Sequence, residues 1–388
     1  MHIIADENIP YAEKLFSHFG DVKKLPGRKL KPSDVVDADI LLLRSVTQVN
    51  TALLEKSRVQ FVGSATIGTD HIDLNYLSKR GVGFSNAPGC NALAASEYTL
   101  AAALALAERQ DIDLAGKTAA IIGCGHVGTN VYKKLQALGM RCIIHDPPRQ
   151  STEKAAYFAT LDEALRADLI TLHVPLTRSG PTPSWHLLDQ VAIDQIKPGT
   201  IVINAARGGV IDNAALSKAL LKKRLYVALD VWEHEPRINV RLLEQVDIGT
   251  PHIAGYSLEG RVRGTQMVYE AACRYFKQAP RINILNELKQ PDQPTITIKI
   301  PHPTIQPLQD AVRYAYDIRV DDEKMRQAAG TSACFFDQLR RDYPLRREFS
   351  QYTITGDQLT SKTQKALALL GFNLNTGLSE KAKVKSQG

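Results

Sequence analysis

The feature that most restricts the fold of this 388-residue chain is the glycine pattern Gly-Cys-Gly-His-Val-Gly at positions 123–128. It follows an apolar run at 117–122 and precedes a helical pattern at 129–138, which is the context of a dinucleotide-binding turn. Gly123 would allow the tight turn, Gly125 would let backbone approach a pyrophosphate, and Gly128 would let the helix pack on the strand. The pyrophosphate would then face the helix N-terminus. The alternative interpretation is a glycine-rich surface turn.

An acidic residue follows the glycine pattern at the spacing that dinucleotide-binding domains use. Asp146 lies 18 residues after Gly128, at the end of the apolar run 142–145. A carboxylate there would accept a hydrogen bond from the ribose 2′-hydroxyl and repel a 2′-phosphate. The sequence therefore predicts NAD rather than NADP as the cofactor, although Arg149 is close enough in sequence to oppose this preference.

Short apolar runs alternate with helical patterns along most of the chain, and this alternation predicts an α/β fold with parallel sheets. The first 95 residues have predicted strands at His2–Ala5, Ile40–Arg44, Phe61–Ser64 and Val82–Ser85, and helices near Tyr11–Phe19, Thr51–Lys56 and Leu74–Arg80. After a helix near Asn91–Glu108, six further strands are predicted at Thr118–Ile122, Arg141–His145, Leu169–His173, Thr200–Asn204, Tyr226–Leu229 and Val246–Ile248. We expect two doubly wound parallel-sheet domains, of which the second is the Rossmann domain.

The pattern changes after residue 250. A long helix is predicted at Leu258–Gln278, and the stretch 278–294, rich in Pro, Asn and Gln, indicates a linker. Beyond it the sequence predicts strands at Thr295–Ile300 and Gln351–Ile354, and helices near Leu308–Ile318, Cys334–Arg341 and Gln364–Leu370. We expect a small α+β C-terminal domain without catalytic motifs, then a polar, disordered tail at 378–388.

Charge and composition argue against several other classes of protein. The net charge is +7, but the basic residues are spread along the chain, so we expect no nucleic-acid partner. The longest apolar candidate, Thr99–Ala107, is too short to span a membrane. The N-terminus is acidic where a signal peptide is basic, and the five cysteines are widely spaced, so a cytoplasmic location is predicted. His71 and Asp73 lack a third clustered ligand, and no metal site is expected.

Three segments that follow predicted strands carry residues suited to one reaction. They place Arg207, Glu235 and His252 at the carboxyl edge of the sheet, where ligands of open α/β sheets bind. Oxidation of a 2-hydroxy acid needs a base for the hydroxyl proton, and His252 suits that role. Glu235 would orient the imidazole, and Arg207 would bind the substrate carboxylate. Asp230 would orient the nicotinamide carboxamide.

These motifs together resemble the D-isomer-specific 2-hydroxyacid dehydrogenases. The resemblance extends over about residues 1–280 and rests on the segments 123–128 with Asp146, 172–177, 204–209, 230–236 and 251–255. It implies Arg207, Glu235 and His252 as the catalytic set. It also implies a substrate or lid domain (1–95 and 256–282), an NAD-binding Rossmann domain (96–255) and a C-terminal dimerisation domain (290–380).

Within this family, the segments 42–47, 62–73 and 252–260 and the C-terminal region resemble a homodimeric branch that oxidises 4-phospho-D-erythronate with NAD in pyridoxal 5′-phosphate biosynthesis. The resemblance implies substrate contacts at Ser45, Thr66, Arg207 and Tyr256. It implies cofactor contacts at Gly123, Gly125, His126, Val127, Gly128, Asp146, Val174, Ala205, Ala206, Asp230 and Gly255. At Val174 a backbone contact is expected. The alternatives are a phosphoglycerate or glyoxylate/hydroxypyruvate dehydrogenase, or a non-catalytic NAD-sensing protein on the same fold.

Overall fold

A computed structural model describes residues 1–153, 155, 157–298, 305–356 and 359–375. By their contacts the residues form two compact units, one of 1–92 with 256–289 and one of 93–255 with 290–388. The chain leaves the first unit after Ala92, returns to it at Tyr256 and leaves it again after Lys289. Among the described residues, no helix is both long and apolar enough to cross a membrane.

The first unit, all of whose residues are described, is built on a parallel sheet of five strands in the order β2-β1-β3-β4-β5. The strands are β1 His2–Asp6, β2 Asp21–Leu25, β3 Ile40–Leu43, β4 Phe61–Ser64 and β5 Gly83–Ser85. The helices that follow β1 to β4 are Ala12–Phe16, Pro32–Val35, Thr51–Leu54 and Leu74–Lys79. β3 and β4 are buried along their whole length, as expected of strands covered on both faces.

The first unit is completed by the long helix Leu258–Tyr275, which the chain adds after residue 255. Ser257 caps this helix, since its hydroxyl accepts a hydrogen bond from the Gly260 N–H at 2.9 Å. Tyr269 from the helix packs edge-on against Phe16, with ring centroids 5.6 Å apart. The core of this unit therefore depends on two segments that are far apart in sequence.

The second unit contains a six-stranded parallel sheet in the order β11-β10-β9-β8-β6-β7, counted over its described residues. The strands are β6 Thr118–Ile122, β7 Arg141–His145, β8 Leu169–Leu172, β9 Ile201–Asn204, β10 Tyr226–Leu229 and β11 Ile248–Gly249. The helices are Ala92–Arg109, His126–Ala137, Pro147–Gln150, Leu161–Leu165, Gln190–Gln195, Asn213–Leu220 and Val240–Gln245. The strand order reverses between β6 and β8, which is where ligands of such sheets bind.

The described residues of 290–375, which we call the C-terminal module, belong to the second unit. They form the parallel strands β12 Thr295–Thr297, β13 Thr353–Thr355 and β14 Asn373–Leu374. The helices are Gln306–Ala315, Ile318–Ala328, Phe335–Arg341 and Ser361–Leu370. Met325 and Phe336 are fully buried in the same apolar cluster as Leu242 and Trp232 of the Rossmann domain. The C-terminal module therefore shares a core with that domain.

The predicted fold class, two parallel-sheet domains with a small α+β addition, is confirmed. Some elements differ from prediction. β2 and β14 were not predicted, the stretch 278–294 contains a 3-10 helix at Ile284–Glu287, and the last strand of the large sheet is Ile248–Gly249 rather than 246–248. The helix predicted at 308–318 ends at Ala315, because Tyr316 is extended and Asp317 caps a second helix. Residues 299–300 of a predicted strand and the predicted tail at 378–388 lie outside the described residues.

Candidate active site

The glycine pattern forms the turn between β6 and the helix His126–Ala137. Gly123 has a φ of +85°, which favours glycine, and a Cβ built there would lie 2.7 Å from Val174 Cγ1. A Cβ at Gly128 would lie 2.1 Å from the Gly123 carbonyl oxygen, whereas one at Gly125 would meet nothing within 4 Å. The first and third glycines thus serve the protein's own packing. The second leaves the open backbone surface that a pyrophosphate needs.

The helix that follows the turn can supply hydrogen-bond donors to an anion. His126 and Val127 are its first two residues, and the N–H groups of the first turn have no partner within a helix. The positive end of the helix dipole adds a favourable field for phosphate. The residues present therefore fit a bound dinucleotide, with Val174 beside the turn at the point where the strand order reverses.

Asp146 lies beside the glycine turn. Its carboxylate accepts hydrogen bonds from the N–H of Cys124 at 2.7 Å and from the N–H of Arg149 at 3.1 Å. The Arg149 side chain donates to both carboxylate oxygens of Glu153, at 2.9 and 2.6 Å, and to the Cys124 carbonyl at 2.7 Å. The guanidinium that could have attracted a 2′-phosphate is already paired, so this position favours the ribose hydroxyls of NAD.

His252 and Glu235 form a hydrogen-bonded pair after β11 and β10. The Nδ1 atom of His252 lies 2.7 Å from Oε2 of Glu235, and about a third of the His252 side chain is exposed. His252 has a φ of +57°, the left-handed region that non-glycine residues seldom adopt. Its N–H donates to the Asp230 carbonyl oxygen at 2.7 Å, which holds the residue in this conformation.

The Glu235 carboxyl is ionised at neutral pH. Burial alone would raise the pKa of Glu235, but the charge and hydrogen bond of His252, the N–H of Trp232 and the charge of Arg340 together lower it. An ionised carboxylate only accepts hydrogen bonds, so Nδ1 of His252 carries the shared hydrogen. In the neutral imidazole Nε2 then keeps its lone pair. This is the tautomer that a general base requires.

Asp230 organises the segment Thr250–Gly255, which we call the histidine loop. Its carboxylate accepts hydrogen bonds from the Thr250 hydroxyl at 2.7 Å, the Ile253 N–H at 2.7 Å and the Ala254 N–H at 2.8 Å. The structure thus gives Asp230 a structural task that the sequence did not predict. Its contact with the nicotinamide, and that of Gly255 with the cofactor, stay predictions.

Arg207 follows β9 on a turn that packs tightly against neighbouring segments. A Cβ at Gly208 would lie 2.0 Å from the backbone of Trp232, and one at Gly209 would lie 2.4 Å from the Trp185 ring. The Arg207 guanidinium donates to the carbonyl of Ala206, a buried residue, at 2.8 Å. Because β9, β10 and β11 are neighbours in the sheet, Arg207, Glu235 and His252 follow three adjacent strands. Ala205 is half-buried on the same turn.

The first unit brings together residues that follow β3 and β4 at its carboxyl edge. Ser45 is exposed after β3, and Thr66 follows β4, where its hydroxyl lies 2.8 Å from that of Ser64. Arg44 donates to the Tyr256 hydroxyl at 3.1 Å. Burial and then the charge of Arg44 lower the pKa of Arg261, so the two guanidinium groups are near one another. Sequence reasoning missed Arg261, whose position in the first turn of a long helix gave no motif.

Within the described residues, His186, Asp212 and Glu233 have side-chain oxygen and nitrogen atoms close enough to share a metal ion. All three are already engaged. His186 Nε2 lies 2.8 Å from Glu233, whose second oxygen accepts the Asn213 N–H at 2.9 Å, and Asp212 caps the helix Asn213–Leu220. These contacts describe a hydrogen-bonded cluster, and the prediction that the protein needs no metal stays a prediction.

Comparison with known proteins agrees with this geometry. Residues 94–254 match the family described as D-isomer specific 2-hydroxyacid dehydrogenase, NAD binding domain, which confirms NAD as the predicted cofactor. Residues 288–371 match a domain of unknown function, DUF3410. A protein of Thermus thermophilus has the same fold, with a TM-score of 0.64 and 27% identity over 72% of this chain and 98% of its own. The D-lactate dehydrogenase of Aquifex aeolicus, solved with NAD and lactic acid, has a TM-score of 0.62 and 24% identity over 71% of this chain and 96% of its own.

Some proteins match nearly the whole chain and have a higher sequence identity to it. The erythronate-4-phosphate dehydrogenase of Cronobacter sakazakii is 46% identical over 377 residues, which cover 96% of this chain and 98% of the relative. The enzyme of that name from a strain of Escherichia coli is 45% identical over the same coverage. The chain therefore belongs to the erythronate-4-phosphate dehydrogenase family, within the D-isomer specific 2-hydroxyacid dehydrogenases.

Proposed function

We propose that the protein oxidises 4-phospho-D-erythronate to (R)-3-hydroxy-2-oxo-4-phosphooxybutanoate, the step of pyridoxal 5′-phosphate biosynthesis that the resemblance implies. The observation that carries the reaction type is the 2.7 Å contact between His252 Nδ1 and Glu235 Oε2. It leaves His252 Nε2 able to take the hydroxyl proton of a 2-hydroxy acid. The choice of substrate is supported by the 46% identity to enzymes of that name.

The roles of the catalytic residues follow from their protonation. NAD, when bound, supplies the acceptor for the hydride that leaves carbon 2. The hydroxyl proton passes to His252, and the ionised Glu235 stabilises the imidazolium that forms. Arg207 binds the substrate carboxylate and polarises the new carbonyl, because a guanidinium forms paired hydrogen bonds with planar oxygen groups.

The phosphate of the substrate would bind to the first unit. Arg44 and Arg261 place two positive charges near each other, and the Tyr256 hydroxyl, with its 3.1 Å contact to Arg44, adds a polar group to the same surface. The Asp6 carboxylate already acts on Arg261, and a phosphate would add the charge-assisted hydrogen bonds to which arginine is well suited. Ser45 and Thr66 would donate further hydrogen bonds.

We also propose that the protein is a homodimer and that it works in the cytoplasm. Three apolar side chains of the C-terminal module, Tyr314, Val320 and Leu345, are 48%, 47% and 67% exposed, which suits an interface between copies. The cysteines are all unpaired thiols, as in a reducing compartment. The domain roles would be substrate binding for 1–95 with 256–282, cofactor binding for 96–255 and dimerisation for 290–380.

The test is a steady-state assay of NADH formation by the full-length protein. We expect the highest kcat/KM with 4-phospho-D-erythronate, compared with unphosphorylated D-erythronate and with 3-phosphoglycerate. Arg44→Met should raise KM for the phosphorylated substrate, since a hydrogen bond to a charged group is worth roughly 1.5–3 kcal/mol, or about 10- to 150-fold.

Each other outcome contradicts part of the proposal. A preference for 3-phosphoglycerate would overturn the substrate and keep the reaction type. Binding of NAD without turnover of any hydroxy acid would favour the NAD-sensing alternative. Equal use of D-erythronate and its phosphate would refute the phosphate site at Arg44. Sedimentation of the intact protein as a monomer would refute the dimer. A Leu345→Asp variant that stays dimeric would show that the interface does not include Leu345.

A further inference from the structure

The C-terminal module contacts the chain on both sides of His252. Just before the histidine loop, Asp322 accepts a hydrogen bond from the Gly249 N–H at 2.7 Å. At its end, the Arg346 side chain donates to the Ala254 carbonyl. Both side chains belong to the region that matches a domain of unknown function. The loop that carries His252 is therefore held from outside the Rossmann domain as well as from within it.

Arg346 is bound in an unusual way for a charged residue. It is only 6% exposed, its guanidinium carbon lies 4.4 Å from the centre of the Tyr316 ring, and its Nη2 also donates to the Ala94 carbonyl at 3.1 Å. Its Nε and Nη1 atoms donate no hydrogen bond to the residues that the structure describes. Burial opposes the charge of Arg346, and the neighbouring Tyr343, Tyr316, Glu97 and Asp321 favour it and raise its pKa. The arginine is therefore held charged in the interior, where its Nη2 atom reaches the two carbonyls.

The two carbonyls that Arg346 binds have a particular place in the chain. Ala94 lies just after the residue where the chain enters the second unit, and Ala254 lies just before the residue where it leaves. The Ala254 N–H is meanwhile fixed by the Asp230 carboxylate at 2.8 Å. Both peptide groups of Ala254 are thus held, two residues from a His252 whose backbone has a φ of +57°.

We propose that the C-terminal module braces the histidine loop and that Arg346 is a positioning residue for His252. This role goes beyond the predicted dimerisation domain, and it rests on the proposed function only in that His252 is the base. Arg346 touches neither substrate nor cofactor in this mechanism. It acts by fixing the Ala254 carbonyl, which limits the backbone positions open to the loop.

The test compares Arg346→Met and Arg346→Lys with the control Lys223→Met in the full-length protein. Lys223 also lies in the second unit and donates to the carbonyls of Ile193 and Ile196, both at 2.6 Å, at the end of the helix Gln190–Gln195. Hydrogen–deuterium exchange of peptides covering 248–258 is measured beside kcat and KM. The exchange measurement needs no substrate.

We expect Arg346→Met to speed amide exchange in the histidine loop and to lower kcat roughly 10- to 100-fold with little change in KM, since misplacing a catalytic group by about 1 Å costs on that order. Arg346→Lys, which keeps the positive charge and N–H donors, should recover part of kcat, and it replaces the Met variant in the test if that variant does not fold. Lys223→Met should lose thermal stability while loop exchange and kcat stay at wild-type values.

Three results would overturn this positioning role: unchanged loop exchange in Arg346→Met, faster exchange with unchanged kcat, or an equal loss of kcat in Lys223→Met. Failure of the proposed function is a separate outcome. If the wild-type protein is inactive on 4-phospho-D-erythronate but loop exchange is still faster in Arg346→Met than in Lys223→Met, the proposed substrate is rejected and the role of Arg346 in holding the loop is retained.

Discussion

Replacing Glu235 by Gln should slow turnover by about 10- to 150-fold while the protein stays folded. The two carboxylate oxygens each accept one hydrogen bond, from the Trp232 N–H at 2.8 Å and from His252 Nδ1 at 2.7 Å. Glutamine has a single acceptor oxygen, so one of these donors must face an NH₂ group. Keeping the Trp232 bond would force Nδ1 of His252 to accept, which moves the ring hydrogen to Nε2 and removes the base.

The magnitude follows from the bond that is lost. A hydrogen bond to a charged group contributes about 1.5–3 kcal/mol, and each 1.4 kcal/mol is about tenfold in rate. The variant should lower kcat rather than raise KM, because the His252–Glu235 pair acts on the proton transfer. With a substrate deuterated at carbon 2, its isotope effect on kcat should be at least as large as that of the wild-type protein. Stopped-flow measurement of NADH formation gives both quantities.

Glu233→Gln is the matched control, since Glu233 lies two residues earlier and contacts His186 and Asn213 instead of His252. It should keep wild-type kcat, and equal folding of the two variants is checked by circular dichroism and melting temperature. Turnover of Glu235→Gln within about threefold of wild type, below the smallest loss that this bond allows, would refute the tautomer argument.

Three further results are expected. His252→Ala should lower kcat by about 10²–10⁴-fold with NAD affinity kept, because the base contacts the substrate; wild-type turnover would show the base is elsewhere. Asp146→Ala should weaken NAD and relax discrimination against NADP, measured as kcat/KM with both cofactors; unchanged discrimination would refute the carboxylate argument. Burial lowers the pKa of His173 to about 3 from 6.5, so the stability that its neutral form provides is present above the unfolded value and lost as pH falls. Between about pH 7 and pH 5 the free energy of unfolding should fall by about 2 kcal/mol from this group. Urea unfolding of His173→Gln at the two pH values should lack this part of the decrease.

The signals that predicted the glycine turn and the polar segments after the strands are local. Glycines that need a special backbone conformation, and polar residues directly after apolar strands, can be recognised without knowing the fold. The same reasoning failed at β2, an edge strand whose sequence Asp-Val-Lys-Lys-Leu is mostly exposed and has no apolar run. It failed again at the helix Ile318–Ala328, where a buried acid, Asp321, interrupts the spacing between Ile318 and Met325.

The support of the histidine loop could not be predicted from the sequence at all. Asp322 and Arg346 reach residues 73 and 92 positions away, and no local pattern marks an arginine that binds a distant carbonyl. The contact of Arg44 with Tyr256 is equally remote in sequence. Such pairings are decided by which strands and helices become neighbours, and that depends on the whole fold.

The return of the chain to its first unit has a consequence for synthesis on the ribosome. The sheet of β1–β5 is complete once residue 85 has been made, but Val262, Val268 and Tyr269, which close its core, belong to a helix that begins at Leu258. Ribosomes add about 5–20 residues each second. The apolar face of the sheet is therefore uncovered for roughly 10–40 seconds before the helix that packs on it has been made. During that interval the nascent chain exposes a surface that chaperones bind, and slower translation of the Rossmann segment would lengthen the exposure.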